Sequence, residues 1–101
     1  MSVQDRIATA ARAVSALDAE HLPEDVAAIA RTTLSQSETA TRRQMRTAVA
    51  EGLVTVQLLA GAPIDGLRQS AYATNRTKTK DLANALLQTR LMVWALKRGE
   101  K

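Results

Sequence analysis

The stretch DLANALLQTRLMVWALKRG, residues 81–99, limits the fold more than any other part of the chain. Its apolar residues recur at helical spacing but do not form a single stripe. Leu82, Leu86, Val93 and Leu96 fall on one side of a helix, and Leu87, Leu91 and Trp94 on an adjacent side. An apolar surface that broad suggests burial against more than one neighbour. Lys97 and Arg98 suit its negative C-terminal end, and Gly99 is its stop.

The rest of the chain supplies partners of the same kind. SVQDRIATAARAVSALDA reads as a helix, with Ser2 and Asp5 at its start and Val3, Ile7, Ala10, Val14 and Leu17 on one face. EHLPED is a break. Pro23 suits the first turn of a second helix over about 24–35, Glu24 and Asp25 complement its positive end, and Val26, Ile29, Ala30 and Leu34 form its stripe. SQSETA reads as the next start signal, with Ser37 capping a third helix from near Glu38 to Ala60. Met45, Ala48, Val49, Gly52, Val56 and Leu59 share its face, and Gly61 ends it. Gly52 is the weak point, because glycine costs about 1 kcal/mol relative to alanine inside a helix. If the helix breaks there, LVTVQLL becomes a strand that must pair across a dimer. GAPIDG is a connector, and GLRQSAYA reads as a short helix in which Tyr72 packs on the core.

The expectation is an all-α, compact bundle of four to five helices in a single domain over residues 1–101. Of the 46% apolar residues, 19 are alanine, there is no phenylalanine, and only one tyrosine and one tryptophan occur. Alanine favours helix but buries little surface. So lean a core points to completion by dimerisation, with Leu86, Leu87, Leu91 and Trp94 as the expected self-association surface.

Charge separates along the chain. Residues 1–38 carry three arginines against six acids, whereas residues 39–101 carry eleven cations against four acids. The basic part contains TNRTKTKD, where Arg76, Lys78 and Lys80 alternate with threonines. In an extended segment the three cations project from one side. In a helix starting there, free N–H groups join them. Either arrangement grips phosphate, although a solvated loop is the plain alternative. Arg42 and Arg46 fall together at the edge of the third helix's stripe with Arg43 further round, a second basic cluster, and Arg68 and Arg90 join if their helices pack beside it. The expected partner is therefore nucleic acid, chiefly double-stranded DNA held by its backbone, since an aromatic-rich surface for stacking single strands is missing. The function expected is that of an accessory or regulatory protein. The alternative is a helical structural or adaptor module for protein–protein or self-association.

A regular helix-turn-helix is disfavoured in residues 58–87. In one register the turn glycine falls on Tyr72 and the recognition-helix core on Lys78 and Asp81. In the other, Asn75 and Thr77 occupy apolar slots. Enzyme chemistry lacks its parts: His21 is the sole histidine, and no nucleophile motif, phosphate loop or metal-ligand spacing occurs. No cofactor, metal or small-molecule substrate is expected. The chain has no cysteine, no apolar run long enough to span a membrane and no apolar signal-peptide core, a pattern that fits a cytoplasmic protein of bacterial or phage type.

Overall fold

The computed structural model describes residues 2–63 and 82–99. They form four helices and no strand: α1 Val3–Ser15, α2 Glu24–Thr39, α3 Arg42–Leu59 and α4 Leu82–Gly99. The fold is all-α. Arg76, Lys78 and Lys80, with Arg68 and Tyr72, lie outside the described residues.

The starts of α1, α2 and α3 and the end of α3 have local causes. At α1, Ser2 Oγ accepts the Asp5 N–H at 3.1 Å while the Asp5 carboxylate accepts the Ser2 N–H at 3.3 Å, a complete capping box. Helix α2 begins one residue after Pro23, with Glu24 and Asp25 in its first turn. It runs on to Thr39, through the SQSETA stretch that reads as a start signal. The Ser37 hydroxyl donates back to the Leu34 carbonyl at 2.8 Å, inside the helix, and so does not cap a new one. The working signal comes four residues later. Thr41 Oγ1 accepts the Gln44 N–H at 3.1 Å and Gln44 Oε1 accepts the Thr41 N–H at 2.8 Å. Gly52 does not break α3, so the strand alternative for LVTVQLL is overturned. Gly61 ends the helix with φ 92°. Its N–H donates to Leu58 and that of Ala62 to Gln57, the double hydrogen bond of a Schellman motif.

Helix α4 is the hub. α1, α2 and α3 each pack against it, and α3 makes the most extensive contact. Met45 and Val49 from the start of α3 are clustered with Leu82 and Leu86 from the start of α4. Val56 and Ala60 from the end of α3 are clustered with Ala95 and Leu96 from the end of α4, and Ala10 of α1 closes that group. The two helices therefore run parallel. Between the clusters the helices touch where Gly52 faces Thr89. A Cβ placed on Gly52 would sit only 2.3 Å from the Thr89 methyl carbon. The close approach answers why glycine stands in mid-helix, and it leaves two small apolar groups in place of one continuous core. α2 runs the other way. Asp25 near its start meets Trp94, and Thr33 and Gln36 further along meet Arg90. No helix among the described residues is long and apolar enough to cross a membrane.

Candidate functional site

The parallel arrangement of α3 and α4 gathers two positive helix ends at one end of the molecule, because both N-termini lie there. Three arginines decorate that end. Arg42 and Arg43 occupy the first two positions of α3 and are exposed, and Arg46 follows one turn on, half-buried. Helix starts ordinarily favour acids, and this one has none in its first turn. Nor does a carboxylate among the described residues pair with any of the three, since the ion pairs there are Arg31–Glu24 at 3.2 Å and His21–Asp18 at 2.9 Å. The Arg46 Nε is buried and has no hydrogen-bond partner among the described residues.

The other second-half cations do not join this group. Lys97 and Arg98 sit in the last turn of α4, and from the level of Met45 and Leu82 that is about 22 Å along the axis. Arg98 lies over the Trp94 ring at 5.4 Å. Arg90 is turned toward α2, where Nη1 donates to Thr33 Oγ1 at 2.9 Å and Nη2 donates to Gln36 Oε1.

The residues expected to drive self-association are divided in the same way. Leu86, 1% exposed, and Leu91, 7% exposed, are enclosed within the single chain and offer nothing to a partner while the fold is intact. Leu87 is half-buried. Trp94 is half-buried on the wall of an open groove, with its indole N–H donating to Asp25 Oδ2 at 2.6 Å. That hydrogen bond, above all, holds the Asp25 carboxyl below the usual carboxylate range. Among the described residues, the large apolar side chains left to solvent are Leu34, 63% exposed, and Leu58, 49% exposed.

The groove is a feature that helical periodicity along one segment does not reveal. α2 and α3 both lean on α4 without packing extensively on each other, so a trough of about 1050 Å³ runs between them with α4 as its floor. Ile29, Ala48, Gly52, Val93, Arg90 and Trp94 are among the residues that line it. His21 is exposed, and its Nδ1 pairs with Asp18. That contact, followed by the Glu20 N–H, lowers the Asp18 pKa. Among the described residues no group of three His, Asp or Glu side chains is placed to hold a metal ion. No protein-family model matches the chain, and no curated protein or solved structure shows significant similarity to it.

Proposed function

We propose that the protein binds nucleic acid, chiefly duplex DNA, through phosphate contacts at the end of the molecule where α3 and α4 begin. The observation that carries this reading is the placement of Arg42 and Arg43 in the first turn of α3, exposed and unpaired with acids among the described residues. Cations there work against the helix dipole, so they do not serve the stability of α3. They do suit a phosphate, which would meet both the free N–H groups and the guanidinium groups. Arg46 adds a third cation one turn on. The sequence segment containing Arg76, Lys78 and Lys80 leads directly into Leu82, which clusters with Met45. In the proposal, both basic clusters serve the same phosphate track, and an accessory or regulatory role follows from the lack of chemistry-bearing motifs.

The test is fluorescence anisotropy with a labelled DNA duplex over a salt series. With about four to six phosphates neutralised, log K against log salt falls with a slope near −4 to −5. Replacing Arg42, Arg43 and Arg46 by Gln flattens that slope by about 2 to 3. Salt-insensitive binding, or none at low salt, rejects the reading.

A second reading, a self-associating or adaptor module with the homodimer as its simplest form, is favoured by the exposed Leu34 and Leu58. Light scattering across a concentration series measures it directly. A dimer that Leu34→Ser and Leu58→Ser abolish supports it, and a monomer at all concentrations rejects its homodimer form.

A further inference from the structure

We infer that the trough between α2 and α3 is a binding site for an organic monoanion with an apolar body, such as a medium-chain carboxylate, whose acid group is received by Arg90. This inference does not depend on the nucleic-acid reading.

Three observations converge on it. First, Arg90 lies in the groove and is half-buried, yet its partners are neutral: Thr33 Oγ1 and Gln36 Oε1. No carboxylate among the described residues pairs with it, so its charge is uncompensated there. A guanidinium carries five N–H donors, and these two bonds leave three for an incoming anion. Second, the guanidinium is held in place before any ligand arrives. Thr33 is 2% exposed, and its hydroxyl donates in turn to the Ile29 carbonyl at 2.8 Å. A fixed cation loses little freedom on binding, which favours affinity. Third, the surface beside Arg90 is mainly apolar. Ile29 comes from α2, Ala48 and Gly52 from α3, and Val93 from α4, with the Trp94 ring fixed by its bond to Asp25. From Asp25 to Gln36 the α2 wall runs about 16 Å, long enough for an eight-carbon chain. One anchored cation beside an apolar trough of this size is the usual make-up of a site for such anions.

Asp25 and Glu51 also border the groove, as do Lys97 and Arg98. These two carboxylates limit the tolerance for a second negative charge, which is why a monoanion fits better than a dianion. Arg98 is already engaged with the Trp94 ring.

The only tryptophan of the chain lines the trough, so its fluorescence reports occupancy directly. Octanoate, octan-1-ol and octylammonium, each below its micelle concentration, are titrated into the wild-type protein. The expected result is saturable one-to-one binding of octanoate, at least tenfold tighter than octanol, with no saturable binding of octylammonium. Arg90→Met weakens octanoate at least tenfold while leaving octanol within twofold, and Lys97→Gln changes neither by more than twofold. Equal affinity for octanoate and octanol, or no saturable response to octanoate, overturns the inference. Because that comparison uses the wild-type chain, it decides the matter even if Arg90→Met does not fold. Light scattering completes the test. A dimer that octanoate fails to dissociate, and whose formation quenches Trp94, assigns the trough to a second copy and also overturns the inference.

Discussion

Gly52 shows how one residue sets the distance between two helices. A methyl group there would meet the Thr89 side chain at 2.3 Å, and Thr89 cannot swing away freely because it is buried and bonded to the Ala85 carbonyl at 2.7 Å. Gly52→Ala should therefore destabilise the fold despite the better helix propensity of alanine. Overpacking costs about 1–3 kcal/mol against a propensity gain of about 1 kcal/mol. Urea denaturation should show a lower midpoint for Gly52→Ala. Adding Thr89→Ser, which removes the obstructing methyl, should recover most of the loss. A Gly52→Ala midpoint at or above wild type would mean that the helices can part without cost. Asp25 gives a second prediction at this scale. Its pKa is lowered in the folded state, first by the Trp94 indole N–H. The folded state thus holds the proton less readily than the unfolded one. The resulting stabilisation is present above the ordinary carboxylate pKa of about 3.9 and is lost as pH falls through the lowered value. The Trp94 emission should shift in acid below about pH 4, and in Asp25→Asn that step should vanish. A shift of equal size in Asp25→Asn would place its origin elsewhere.

At the scale of elements, α3 combines a strong start with a charge distribution that opposes it. The capping box of Thr41 and Gln44 satisfies two backbone donors, and Thr41→Ala should cost about 1 kcal/mol. Arg42 and Arg43 work in the other direction. Replacing each by Gln should leave stability unchanged or raise it by about 0.3–1 kcal/mol at low salt. The same substitutions should weaken duplex binding. Opposite signs in thermal denaturation and in anisotropy would separate a binding role from a structural one, and a loss of stability in both variants would argue for the structural role. The sequence reading places the start of this helix at SQSETA, whereas the box that caps it, T-x-x-Q from Thr41 to Gln44, lies four residues further on. Which hydroxyl caps depends on whether the preceding helix still has a use for it. Ser37 bonds backwards into α2, whose Thr33 and Gln36 are engaged by Arg90. That engagement comes from 54 and 57 residues away, beyond the reach of any local pattern.

At the scale of the whole molecule, the direction of α4 decides where charge accumulates. Parallel pairing with α3 places Arg42, Arg43 and Arg46 at one end and Lys97 and Arg98 at the other. Had the pair been antiparallel, all five would have met at one end. The broad apolar surface of residues 82–96 points to burial against more than one neighbour, and three helices pack on it. Its leucines do not by themselves choose between a core and a dimer interface. Leu86 and Leu91 are buried within the single chain, and Trp94 lies along the trough. Helical class, the α1 capping box and the glycine stop after α3 followed from the sequence alone, because hydrogen bonds closing over three to five residues and a 3.6-residue period act within a single segment. Tertiary structure alone decided the parallel sense of α3 and α4, the parting of α2 from α3 and the lodging of Arg90 in the resulting trough. Stripes of alanine, valine and leucine fit one another in either direction, and the choice rests on contacts such as Gly52 with Thr89 that join residues far apart along the chain.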